Sequence, residues 1–240
     1  MSMHNLSALA SAQRLSSFQD WWNTQGDWVE APNQRRSGES GVQRVQLGDA
    51  GLPLLYCKRQ IGHLYRSFAH PFGQPTVLRE QRALQAFRAA GVRVPQVIYC
   101  GTRQQDGQWQ ALLITLELEG FISLEDWYGN GGAARYGMLL HQHMLAAVGV
   151  TLSRIHRARW QHGCCYAKHI FLRVAGESEA ACVEVALLDL EKSRRRWRRS
   201  AAARHDLSQL RRHCRSMPVA DWLQLLAAHG AASKADHPVI

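Results

Sequence analysis

Apolar positions along the chain change their period near its middle, and the change divides two kinds of structure. Leu6, Leu9, Leu15, Phe18, Trp21 and Trp22 recur at close to helical spacing and predict an N-terminal helix. Val42–Leu47 alternates as a strand, and Leu54–Arg59 predicts a second strand beyond a turn at Gly48–Pro53. Arg66–Thr76, rich in Pro and Gly, reads as a loop, and Leu78–Ala90 reads as a helix stopped by Gly91. Val94–Cys100 and Ala111–Leu118 are expected strands, joined by a turn at Gln105–Gly107.

Beyond Gly120 helical spacing dominates. Ser123–Trp127 begins a helix, Gly129–Gly132 breaks it, and His141–His156 is a long apolar helix. Gln161–Lys168 reads as a loop, and strands at Ile170–Val174 and Val183–Leu188 flank a turn around Gly176. Helices are expected at Asp206–Cys214 and Asp221–Ala228. The pattern predicts an α+β fold of two lobes with a cleft at their junction. Its parts are a helical extension over 1–34, an antiparallel β-rich lobe over 35–118 and a helical lobe over 119–240.

Hydrophobic residues make up 46% and charged residues 20% of the 240 residues, an ordinary globular balance. The apolar run Ala111–Leu116 meets Glu117 and Glu119, far short of the ~18 residues of a membrane span. Residues 1–12 lack the basic flank and apolar core of a secretory signal, so the expected location is cytoplasmic. In that setting Cys57, Cys100, Cys164, Cys165, Cys182 and Cys214 read as reduced thiols. His156, His162, Cys164, Cys165 and His169 raise a zinc alternative, but their spacing fits no standard site. His141 and His143 read as ordinary helix residues.

A net charge of +10 points to acidic partners. Ten Lys/Arg and two acids lie between Glu191 and Arg215, a solvated face or an anion surface. A nucleic-acid interface has charge alone in its favour, because only Trp197 interleaves with the arginines. No Gly-x-Ser-x-Gly elbow or Rossmann glycine pattern occurs.

Four features stand in the order that phosphoryl transfer requires. Lys58 ends an apolar strand, where its ammonium can reach nucleotide phosphates, and Glu80 follows on a helix, where it can orient that lysine. His162-Gly-Cys-Cys-Tyr-Ala-Lys-His169 then joins a long helix to a strand. Val185-Ala-Leu-Leu-Asp-Leu190 delivers Asp189 to a strand end, a place suited to Mg²⁺ held against phosphates. Gly38-Glu-Ser-Gly41 reads as a hairpin turn or a phosphate-covering turn. Asp206 is expected to cap a helix and to tie down the preceding loop.

As an ordered set over roughly residues 35–215, these features resemble the lipopolysaccharide kinase family and most closely its InaA branch. Active members read approximately His-Arg-Asp-Cys-Tyr-x-x-His in the catalytic loop, then a strand ending Ile-Asp-Leu. The resemblance extends to the hinge-like Thr115-Leu-Glu-Leu-Glu-Gly120, to Ser123-Leu-Glu-Asp-Trp127 and to Asp206-Leu207. It implies a kinase-like fold that binds ATP and Mg²⁺ and phosphorylates a sugar hydroxyl of lipopolysaccharide core or a related anionic glycolipid. Lys58 and Glu80 would serve the phosphates, Asp189 and His169 the metal, and Glu117 and Leu118 the adenine. Lys168 would stand near the γ-phosphate. Only sixteen residues separate Asp189 from Asp206, so no long activation segment is expected, and the arginines near 194–199 would flank the cleft mouth.

One departure opens a second reading. Cys164 stands where active members carry the aspartate that accepts the acceptor's proton, and a thiol is a poor substitute. A catalytically weak or inactive InaA-type stress-response or binding protein is the alternative. Peripheral contact with the inner membrane is expected in either case, and no obligate protein partner is evident.

Overall fold

A computed structural model describes residues 15–35, 38–47, 54–68, 70–176 and 181–235. The Gly48–Pro53 turn and residues 6–14 of the expected first helix lie outside the described residues. The chain divides into two compact units, Met1–Leu84 with Pro95–Glu119, and Gln85–Val94 with Gly120–Ile240.

In chain order the elements of the first unit are α1 (Phe18–Asn23), β1 (Asp27–Arg35), β2 (Gly38–Val45), β3 (Leu55–Ile61), β4 (Leu64–Ser67), β5 (His70–Pro75), α2 (Thr76–Ala89), β6 (Val97–Gln105) and β7 (Gln108–Leu116). Helix α2 continues into the second unit. Five strands form an antiparallel sheet in the order β1-β2-β3-β7-β6. Its core side carries Val45 of β2 with Leu55, Cys57, Leu112, Ile114 and Leu116, alternate positions of β3 and β7, closed over by Trp21 of α1. Helix α1 holds its place through a capping box between Ser17 and Asp20, and Arg59 donates to the carbonyls of Trp21, Trp22 and Thr24 at its far end. Residues 15–35, expected as a separate extension, are thus built into the sheet unit.

Strand β1 has no counterpart in the sequence reading. It is an exposed edge strand with register shifts between Trp28 and Glu30 and between Glu30 and Asn33, so no burial alternation betrays it, and its Pro32 is tolerated there. The expected loop Arg66–Thr76 is mostly the β4–β5 hairpin. Helix α2 buries Val77, Glu80, Ala83, Leu84 and Phe87, a single helical stripe. It ends as expected at Gly91, whose φ of +72° permits a Schellman closure: Val92 N–H reaches Phe87 O and Gly91 N–H reaches Arg88 O, both at 3.0 Å.

The second unit adds β8 (Ile122–Ser123), α3 (Leu124–Gly129), α4 (Gly132–Tyr136), α5 (Met138–Arg157), β9 (Trp160–Gln161), a 3₁₀ turn (Ala167–His169), β10 (Ile170–Ala175), β11 (Cys182–Leu187), β12 (Arg194–Arg195), α6 (Arg199–His213) and α7 (Val219–Lys234). Helix α5 runs through the core, burying Met144, Leu145, Val148, Leu152 and Ile155. It lies close against α7 because Gly149 has no Cβ, which would come within 2.6 Å of the Leu225 carbonyl oxygen. A three-stranded sheet, β11-β10-β8, and the pair β12-β9 frame the segment between them. Among the described residues no helix is long and apolar enough to cross a membrane.

Candidate active site

Lys58 sits at the centre of the five-stranded sheet, opposite Val42 on β2 and Leu113 on β7. Its Nζ donates to Glu80 Oε2 at 2.7 Å, with the two side chains only 17% and 10% exposed. Glu80 reaches it because it occupies the buried stripe of α2 between Val77 and Ala83. A charge-assisted pair so shielded fixes the position of the lysine on the sheet.

In the second unit the segment from Trp160 to His169 is held by buried polar contacts. Asp206, fully buried on α6, accepts the amides of His162 at 2.6 Å and Gly163 at 3.1 Å. It also meets the ring of His156 at 3.2 Å and that of His205 at 3.0 Å. These donors outweigh burial and hold its carboxyl below the usual range. Gln209 Oε1 accepts the Cys165 amide at 2.7 Å, and Ser193 Oγ donates to the His162 carbonyl at 2.8 Å. Gly163 has φ +82°, and a Cβ there would lie 2.5 Å from the Lys192 carbonyl oxygen. Only glycine fits beside that loop.

Asp189 follows β11 at φ +54°, a left-handed backbone uncommon outside glycine and often found at functional sites. The amide of Leu188 is anchored on His169 O at 2.9 Å. His169 Nδ1 lies 2.8 Å from the Cys164 carbonyl, which can only accept, so Nδ1 carries the proton. The other ring nitrogen, Nε2, lies 3.6 Å from Asp189 Oδ2. Asp189 offers the carboxylate oxygen that a hard cation such as Mg²⁺ prefers, with His169 beside it, and the remaining ligands of such an ion would come from phosphate oxygens and water. Among the described residues no three of His, Cys, Asp and Glu converge on a metal position of their own.

The sequence matches the lipopolysaccharide kinase (Kdo/WaaP) family over residues 19–229. This chain belongs to that family. It is 42% identical to protein InaA of Escherichia coli (strain K12) over 223 residues, covering 93% of this chain and all of that protein. A solved structure of WaaP in complex with acyl carrier protein matches with a TM-score of 0.67 at 20% identity, over 89% of this chain and 82% of that one. The mixed α/β fold with its antiparallel sheet is the fold of that structure.

Within this lipopolysaccharide kinase family member the expected site residues fall into distinct places. Lys58 meets Glu80, and His169 meets Asp189, each pair inside one unit. Lys168 is exposed on the 3₁₀ turn. Cys164 is buried, and that burial, reinforced by the nearby Asp189 charge and opposed by Lys192, raises its thiol above the usual range. It is a neutral thiol at physiological pH and no proton acceptor.

Two expectations need correction. Gly38 and Gly41 do not form a turn but lie within β2. A Cβ on Gly38 would meet the Gly62 backbone at 2.4 Å, and one on Gly41 the Trp28 ring at 2.7 Å, so close packing accounts for both glycines. Asp206 does not open a helix either. Helix α6 begins at Arg199, and Asp206 sits mid-helix, where its carboxylate anchors the 162–163 amides instead of a cap. Glu117 and Leu118 follow β7 and are half-buried, with the Glu117 amide bonded to Leu54 O at 2.9 Å.

The sequence reading also missed Gln209 and Ser193 as loop anchors. The arginines it grouped together differ: Arg194, Arg195, Arg198 and Arg199 are exposed, whereas Arg196 donates to Gln161 Oε1 at 2.5 Å. A cavity of about 410 Å³ is lined by Arg154, Arg157 and Arg199 with Ala90 and Ala158.

Proposed function

We propose that this protein is an ATP- and Mg²⁺-dependent phosphotransferase acting on a sugar hydroxyl of lipopolysaccharide core or a related anionic glycolipid. The observation that carries this reading is the shielded Lys58–Glu80 pair at 2.7 Å on a strand interior, an arrangement that would hold a lysine in place for a nucleotide phosphate. Lys58 would take a nucleotide phosphate, and Asp189 with His169 would hold the Mg²⁺, whose charge would offset that developing on the transferred group. Because the Glu117 amide is already bonded, adenine would be read by the Glu117 carbonyl and the Leu118 amide. Lys168, exposed on the 3₁₀ turn, would contact the γ-phosphate. The cavity lined by Arg154, Arg157 and Arg199 suits phosphate groups of the acceptor. The expected site of action is the cytoplasmic face of the inner membrane. The charge of +10 would equally admit an acidic protein, as the acyl carrier protein in the WaaP structure suggests.

A second reading rests on Cys164. A buried, protonated thiol supplies no general base, which favours a weak or inactive kinase-like binding protein of the stress-response kind. Thermal unfolding with ATP, with and without Mg²⁺, tests the nucleotide part common to both. At about 100 times its dissociation constant ATP should add about 2.7 kcal/mol of stability, and Lys58→Ala and Asp189→Ala should each reduce that gain. Parent-like stabilisation of both variants would remove the site from these residues.

A further inference from the structure

The β4–β5 hairpin carries two phenyl rings that none of the described residues covers. Phe68 is 109% and Phe72 93% exposed, among the most exposed large apolar side chains of the described residues. The hairpin beneath them is well held. Leu64 pairs with Pro75, and Tyr65 with Gln74. Tyr65 Oη donates to Gln74 Oε1 at 2.8 Å, Arg82 donates to the same oxygen at 2.8 Å, and the Arg79 guanidinium lies over the Tyr65 ring at 4.5 Å. Thr76 N–H reaches the His63 carbonyl at 3.2 Å, closing the base against the start of α2. The rings are therefore carried on strands whose base is fixed to the start of α2.

Along the chain, the charge flanking the hairpin is mainly of one sign. From Arg66 to Arg82 the chain carries Arg66, Arg79 and Arg82 and a single carboxylate, Glu80, which is buried against Lys58. Two aromatic rings at a tip backed by arginines match a surface that is apolar beneath and anionic on top. A second copy of the chain is a poorer fit. Two phenyl groups offer about 300–500 Å², short of the roughly 800 Å² that each partner buries in a stable protein interface.

We propose that the β4–β5 hairpin is a membrane-docking element that seats Phe68 and Phe72 in the headgroup–acyl boundary of an anionic lipid layer. This deepens the glycolipid-kinase reading by naming the surface that brings the protein to a lipid-borne acceptor. It is tested without nucleotide, so its failure would leave the nucleotide assignment standing.

The experiment is co-sedimentation of the full chain with phosphatidylglycerol/phosphatidylethanolamine vesicles and with phosphatidylcholine vesicles, at low and high salt. The parent should bind the anionic vesicles and retain part of that binding at high salt, where charge attraction alone is screened. Phe68→Ser with Phe72→Ser should lower partitioning at least tenfold and remove the salt-resistant part. Phe68→Leu with Phe72→Leu, which keeps the apolar tip, should hold close to the parent. Equal binding by the serine and parent proteins would overturn the proposal, leaving adsorption through arginines elsewhere. So would a parent that binds no vesicles, or one whose self-association, seen in sedimentation velocity, is abolished by the serine changes while vesicle binding persists.

Discussion

Asp206 and His162 are forty-four residues apart in sequence, yet the Asp206 carboxylate accepts the His162 amide at 2.6 Å in a fully buried position. The same carboxylate takes the Gly163 amide, so one side chain fixes the entry to the Cys164–His169 segment. A helix in the core thereby sets the backbone of a loop that has little regular structure of its own.

The size of this effect separates a loop anchor from a helix cap. Losing a cap typically costs about 1 kcal/mol. Asp206→Ala would leave two buried amides and the His156 ring without their acceptor, and should cost about 3–5 kcal/mol in urea unfolding. A loss of only about 1 kcal/mol would reduce Asp206 to an ordinary helix residue.

Two buried histidines give the fold a defined acid sensitivity. Burial, with His169 adding, lowers His162 to about 4, against the opposing pull of Asp206 and Asp189. Burial, with His156 adding, lowers His229 to about 4. Their folded values lie below the unfolded value of 6.5, so both contribute full stability above that pH and lose it as pH falls toward 4. Asp206 is lowered below 3.8, and its contribution is lost only in stronger acid. Thermal midpoints should therefore fall between about pH 7.5 and about pH 5, with a shallower slope in His229→Gln. A flat profile over that range would show that neither ring is held neutral by the fold.

Much of the candidate site was legible because its signals are local. Leu54 through Lys58 reads as a strand, Glu80 falls on the apolar face of a helix with Val77 and Ala83, and Asp189 ends an apolar run. What escaped depends on approach across distance. Strand β1 and the β4–β5 hairpin bury little, so they lack the alternation that marks a strand. The glycines at 38 and 41 suggest a turn until Gly62 and Trp28 are found against them. The start of α6 is hidden because its first turn is polar and solvated, with apolar spacing emerging only near Ala202.

The arginine run separates into binding and structural members. Replacing Arg194, Arg195, Arg198 and Arg199 with Gln should weaken attachment to anionic lipid or lipopolysaccharide by up to about 1 kcal/mol per charge near the surface. ATP stabilisation and the unfolding midpoint should change little, because these side chains are exposed. Adding Arg196→Gln should lower the midpoint, since it removes the bond to Gln161 and a half-buried side chain. Equal loss of ATP and lipid binding in the four-fold variant would assign the run to folding instead.

Cys164 decides between slow chemistry and none. Its thiol is buried beside Asp189 and kept protonated, so the parent can only transfer phosphate through positioning and charge stabilisation. Cys164→Asp would place a carboxylate there, with Lys192 available to offset its charge and Asp189 opposing it. A general base acts on the acceptor's proton in the transition state and adds little to nucleotide binding, so ATP affinity should hold while turnover rises. Such bases are typically worth about 10²–10⁴-fold, and even a tenfold gain with lipopolysaccharide acceptors would be visible. Cys164→Ser, which brings no base, should stay at the parent rate and controls for changes of volume. Magnesium must be varied, because a second carboxylate close to Asp189 can draw the ion away from the phosphates. If Cys164→Asp folds, binds ATP as the parent does and still shows no turnover at any magnesium concentration, the missing base is not what limits this protein. The binding-protein reading would then displace the kinase reading.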